Sequence, residues 1–133
     1  MISTIHLVIT SALVGIIWII QRVHYPAFRY IATDKSDDFH SLHTRDITPL
    51  VAPLMVGELV IVSYDVYTLR SFDTWVLLAL VLVIWVSTFR IQVPLHQKLS
   101  ARYSQDHVEK LIRSNWIRTL SWTAKLSIML YQL

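Results

Sequence analysis

Residues 75–89 read WVLLALVLVIWVSTF, fifteen positions without a charged side chain. With Thr74 before it and RIQVPL after it, the apolar stretch covers 74–95 and is interrupted only late, by Arg90. As a helix rising 1.5 Å per residue it reaches about 33 Å, enough to cross a hydrocarbon core of ~30 Å. A strand reading fails, because no segment alternates polar and apolar residues over the ten or so positions that a membrane barrel strand needs. Three further stretches resemble this one. Residues 2–20, ISTIHLVITSALVGIIWII, carry no formal charge unless His6 is protonated. Residues 47–69 are apolar except for Glu58 and Asp65, and residues 114–133 contain Arg118 and Lys125. The last stretch spans if its charges face protein rather than lipid.

The expected fold is therefore all-α: an integral membrane four-helix bundle, a single domain over 1–133, with spans at 2–20, 47–69, 74–96 and 114–133. The first stretch has no positive leading segment and no small-residue cleavage site after it, so it is expected to be a retained helix rather than a signal peptide. Residues 35–46, KSDDFHSLHTRD, open on Ser36 as an N-cap with acids in the first turn, which predicts a short extra helix running into the second span. Pro49 and Pro53 predict a kink there. The third span is expected to continue through His96, break between 100 and 105, and give way to a helix from Asp106.

Composition agrees. Apolar residues make up 54% of the 133 and charged residues 16%, with a mean hydropathy of +0.49; a soluble domain carries about 25% charged residues. The absence of Cys excludes disulfides, thiolate zinc sites, iron–sulfur clusters and a cysteine nucleophile. With Gly15 and Gly57 alone, no phosphate-cradling loop can be built, and Gly57 is expected to permit close helix packing. No G-x-S-x-G is present. Basic and aromatic residues do not interleave on one surface, so nucleic acid is not an expected partner; the net charge of +3 reflects membrane topology instead. Arg22, Arg29, Lys35 and Arg45 lie between the first two stretches, and Lys98, Arg102, Lys110 and Arg113 between the last two, whereas only Arg70 separates the middle pair. The positive-inside rule then places both termini outside and both long connections in the cytoplasm.

Polar residues recur at helical spacing within the spans. Met55, Glu58, Val62 and Asp65 share a face, as do Asn115, Arg118, Trp122 and Lys125; Trp85, Gln92 and His96 form a third stripe, and Trp18, Gln21 and His24 or Tyr25 a fourth. Glu58 lies about 16 Å into its span. A carboxylate facing lipid at that depth costs several kcal/mol, so Glu58 is expected to face the bundle with Arg118, a His or a bound ion as partner. Five of the six His (His24, His40, His43, His96 and His107) lie at or near one membrane face, with His6 at the other. His40 and His43, three apart on one helix, can chelate; with His24, His96, Asp46 and Glu58 they form a candidate ligand set for iron, copper or zinc. His24 and His96 are the best pair for axial ligation of haem. A metal-free acid–base site using the same His is the alternative to both.

Two local patterns carry a family resemblance: Val93-Pro94-Leu95-His96-Gln97-Lys98-Leu99 at the end of the third span, and Asn115-Trp116-Ile117-Arg118-Thr119 entering the fourth. Together they resemble the anthrone oxygenase-like family of small four-helix membrane proteins, which typically shows V-P-L-N, a basic residue and Leu, then N-x-x-R-T. The likeness is specific over 93–119. It implies oxidation of anthrones to anthraquinones by O₂ without a recognised cofactor. Asn115 and Arg118 match the pattern; His96 stands where the family usually has Asn.

The expected function is that of a small integral membrane oxidoreductase, oxygenase-like, acting on an apolar aromatic or quinone-like small molecule at a polar site on the cytoplasmic side of the bundle. Arg118, with Asn115, stabilises an oxyanion, His43 or His96 takes the proton, and Glu58 tunes or pairs. Two alternatives stand beside it: a non-catalytic accessory subunit of a larger membrane complex, packed against other membrane subunits or a second copy, and a His-ligated metal- or haem-binding membrane protein.

Overall fold

The computed structural model describes residues 4–31 and 36–132, with no side chain described at 36, 37, 39 or 40. It is all-α, four long helical runs packed together. We number them α1 (Thr4–Tyr30), α2 (Ser36–Leu69), α3 (Phe72–Ala101) and α4 (Gln105–Tyr131). Short connections force antiparallel neighbours: α2 turns into α3 through residues 70–71, and α3 breaks over 102–104 before α4. α1 packs on α2 and α4, and α3 packs on the same two, closing a square bundle.

α1, α3 and the Ser41–Leu69 part of α2 are each long and apolar enough to cross a membrane. The fourth helix, 27 residues long, carries Arg118 and Lys125 on its buried side. The distribution of side chains is the reverse of that in a soluble protein. Glu58 and Lys125 are wholly buried, while Val8, Ile19, Val60, Tyr64, Val86 and Leu120 are more than half exposed. Apolar surface facing outward and ionisable groups facing inward suit a bundle whose solvent is lipid.

The expected extra helix before the second span exists, but it merges with that span into one 34-residue helix that runs unbroken through Pro49 and Pro53. Ser36, expected to cap it, lies outside the described side chains. The turn between α2 and α3 puts Arg70 in the left-handed region at φ 49°, and the Ser71 hydroxyl accepts from the Thr74 N–H to cap α3. Gly57 does not have the packing role expected of it: an added Cβ would meet Ile9 Cδ1 at 3.6 Å, an ordinary contact. At the opposite end, Arg29 makes a two-pronged ion pair with Glu109, one bond measuring 2.8 Å. That bond holds the Glu109 carboxyl below its usual range.

The main departure from regular geometry occurs twice. Ile20–His24 in α1 and Thr88–Gln92 in α3 are single π-helical turns, closed by Tyr25 N–H to the Ile20 carbonyl and by Val93 N–H to the Thr88 carbonyl. A proline follows each, Pro26 and Pro94, within the matching strings R-V-H-Y-P and R-I-Q-V-P. Proline has no N–H and its ring crowds the carbonyl four residues back; widening the preceding turn relieves that clash. The consequence is a change of face. Buried positions in α3 step through 77, 81, 84 and 87, then advance five residues to 92, 95 and 99. In α1 the π turn buries two adjacent residues, Ile20 and Gln21, before Tyr25.

Candidate functional site

The two π turns face a cavity of about 250 Å³ near the His-rich end of the bundle. Tyr25 enters from α1, His43 and Met55 from α2, Trp85, Gln92 and His96 from α3, and Arg118 from α4. The remaining wall is largely apolar, including Ile47, Val51 and Phe89. Exposed Thr48, Ala52, Val56 and Phe89 also line it, so the cavity opens between α2 and α3 toward the outer surface of the bundle.

His43, His96 and Tyr25 form one polar corner. The Tyr25 hydroxyl and His96 Nε2 are 3.0 Å apart. The His43 ring lies 5.7 Å from His96 and 6.0 Å from Tyr25, centre to centre. Arg118 supplies the cation. It is 6% exposed, rests its guanidinium 5.3 Å from the centre of the Trp122 ring, interacts with the Tyr25 phenol, and makes a long 3.4 Å bond to Asn115 Oδ1. Its Nε donor has no partner among the described residues, and neither does Trp85 Nε1 or Gln92 Oε1. Buried polar atoms are ordinarily satisfied; here two donors and one acceptor, all on residues lining one cavity, are not.

Behind the cavity wall a second layer fixes these groups. Asn115 Nδ2 donates to Gln21 Oε1 at 2.9 Å, and Gln21 Nε2 donates to the Ile112 carbonyl at 3.1 Å. Gln92 Nε2 donates to Ser114 Oγ at 3.0 Å. Asn115 thus acts as a support for Arg118 and Gln21 and does not itself line the cavity.

Glu58 is not in this site. It faces the bundle as expected, but in a separate network nearer the α2–α3 turn. Lys125 Nζ lies 2.7 Å from Glu58 Oε1, 2.7 Å from Thr10 Oγ1 and 2.8 Å from His6 Nε2. Trp122 Nε1 donates to Glu58 Oε2 at 2.8 Å, and Thr10 Oγ1 donates to Glu58 Oε1 at 2.9 Å. His6 Nδ1 reaches Asp65 Oδ2 at 2.8 Å. An ammonium donating to Nε2 leaves the imidazole proton on Nδ1, so neutral His6 donates to Asp65. The partner of Glu58 is therefore Lys125, not Arg118, a cluster histidine or an ion.

Of the candidate metal ligands, some come together and some do not. His24, His43 and His96 do come together, but their rings are layered. His43 sits 4.2 Å from His24 at 31° between planes, and lies at 33° to His96. His43 also lies against both His24 and His96, the pair expected to clasp a haem. Asp46 is exposed and paired with Arg45 at 2.8 Å, and Glu58 belongs to the Lys125 network. The His40 side chain lies outside the described residues. Among the described residues no group of three His, Asp or Glu is placed to hold a metal ion.

No family model, no curated protein and no solved structure matches this chain.

Proposed function

We propose that the chain is a four-span integral membrane oxidoreductase, oxygenase-like, acting on a lipid-soluble aromatic substrate that carries an acidic C–H or phenolic O–H. The observation that carries this reading is Arg118: a buried guanidinium that lines the cavity, with an unpartnered Nε and no ion-pair partner among the described residues. An uncompensated buried cation is costly and suits a site where negative charge arrives or develops. Trp85 Nε1 is a second unpartnered donor for an oxygen of the substrate. His43 and His96 line the same cavity and are the proton acceptors. The lining is otherwise apolar, and its exposed edge between α2 and α3 gives a route in from lipid.

The chemistry balances without an external reductant. An activated CH₂ flanked by aromatic rings loses a proton to His43 or His96, and Arg118 holds the charge delocalised onto oxygen. The resulting electron-rich carbon combines with O₂, the peroxide anion so formed takes the proton back from the histidine, and loss of water from the hydroperoxide leaves a ketone. CH₂ and O₂ become C=O and H₂O. Oxygen uptake by the purified chain in nanodiscs, with an anthrone as substrate, tests this. One O₂ per ketone formed is expected, at a rate above the buffer blank that falls in Arg118→Gln. A rate equal to the blank would leave the chain an accessory membrane subunit.

The same reading places both termini outside and residues 21–46 and 92–113 in the cytoplasm. Nine of the twelve Lys and Arg fall in those stretches or at Arg90 beside them. At the opposite end, Tyr64, Tyr67, Phe72 and Trp75 are exposed around the Arg70 turn, in the manner of an interfacial aromatic belt. Reporters inserted at 71 and 104 are expected on opposite sides of the membrane; reporters on the same side would overturn the four-span arrangement.

A further inference from the structure

A second cavity, about 540 Å³, lies between α3 and α4 at the basic end of the bundle. Arg90, Lys98, Lys110 and Arg113 line it, with no acidic residue in its wall. Its floor is apolar, formed by Ile91, Pro94 and Leu95. Lys110 pairs with Asp106 at 2.7 Å. Arg90, Lys98 and Arg113 have no ion-pair partner among the described residues. The nearest other acid, Glu109, is engaged by Arg29.

The π turn at Thr88–Gln92 lies within this stretch of α3. Arg90 ends the apolar part of α3 and Lys98 follows two turns later, opposite the first two turns of α4. Four cations around one hollow repel each other unless an anion joins them, and guanidinium and ammonium donors together suit the oxygens of a phosphate group. We propose that this pocket binds the phosphate of an anionic glycerophospholipid. The lipid source, rather than a free phosphate, follows from the surroundings. The floor is hydrocarbon, and one turn before Arg90 α3 exposes Val86 on a helix long and apolar enough to span. Basic pockets between membrane helices hold anionic headgroups by this combination. The site is distinct from the oxidation cavity; the two back onto each other through the Gln92–Ser114 bond.

The test uses the full chain in detergent, with phosphatidylglycerol, phosphatidylcholine and inorganic phosphate added separately. Native mass spectrometry and thermal unfolding provide the readouts. Phosphatidylglycerol is expected to remain bound and to raise Tm, while phosphatidylcholine and millimolar phosphate do neither. In the double variant Lys98→Gln/Arg113→Gln, phosphatidylglycerol retention falls roughly tenfold or more. Both side chains are exposed, so Tm in phosphatidylcholine stays at the wild-type value. Equal effects of the two lipids, or unchanged retention in the variant, would overturn the proposal. Phosphate reproducing the full shift would make the pocket a soluble-anion site and overturn the lipid assignment.

Discussion

Lys125→Met is expected to destabilise the bundle by about 3–5 kcal/mol, the range for removing one partner of a buried ion pair. All three ammonium protons of Lys125 have an acceptor within 2.8 Å, on Glu58, Thr10 and His6, and the residue is wholly buried. Methionine fills the space but leaves the Glu58 carboxylate with only Trp122 and Thr10. The second variant separates charge from packing. Lys125→Met combined with Glu58→Leu removes both charges and is expected to recover most of the loss, because an apolar replacement of an intact pair is often neutral. Glu58→Gln alone keeps a polar group opposite Lys125 and should fall between the two. Unfolding in a graded detergent titration measures all three. A loss below about 1 kcal/mol for Lys125→Met, typical of an ordinary membrane hydrogen bond, would mean that this network does not hold the helices together.

That pair also marks what could be read in the sequence. The four helices are legible, and three of them are long and apolar enough to cross a membrane, where a span must be a complete helix. The stripes are legible because helical spacing fixes which residues share a face: Asn115, Arg118, Trp122 and Lys125 are all buried. The partner of Glu58 was available by counting depth. Glu58 lies eleven residues beyond 47 and Lys125 eleven beyond 114, in spans that run the same way, whereas Arg118 lies only four beyond 114. Helical periodicity hides this, since it relates residues within one helix and not between two. The π turns were hidden for another reason. A strict period of 3.6 is broken where R-I-Q-V-P advances the buried face of α3 by an extra residue, and only a slip in phase ahead of a proline signals it. The histidine cluster was legible as a gathering but not as a geometry. Sequence brings imidazoles to one end of a bundle; how the rings meet depends on side-chain rotamers, and here His43 lies tilted against His24 and His96.

Arg118→Leu is expected to slow turnover severely while leaving the protein at least as stable as wild type. The contrast with Lys125 is internal to one helix, two turns apart on the same buried face. Lys125 has a satisfied donor set and a carboxylate at 2.7 Å. Arg118 has a long 3.4 Å bond to Asn115, the Tyr25 phenol, the face of the Trp122 ring and an orphan Nε, with no carboxylate among its described partners. Removing a compensated charge costs stability; removing an uncompensated one relieves a desolvation penalty. Stability stored against the fold in this way is characteristic of groups kept for chemistry. The rate should fall by ~10²–10³, the range seen when a donor to a developing oxyanion is lost. Arg118→Lys keeps the charge but not the planar fork, and should recover part of that loss. Thermal unfolding together with oxygen uptake on the same three proteins reads both quantities. A less stable Arg118→Leu would reassign Arg118 to the scaffold, since its burial would then contribute to the fold. A more stable Arg118→Leu with undiminished oxygen uptake would separate the cavity from the chemistry altogether.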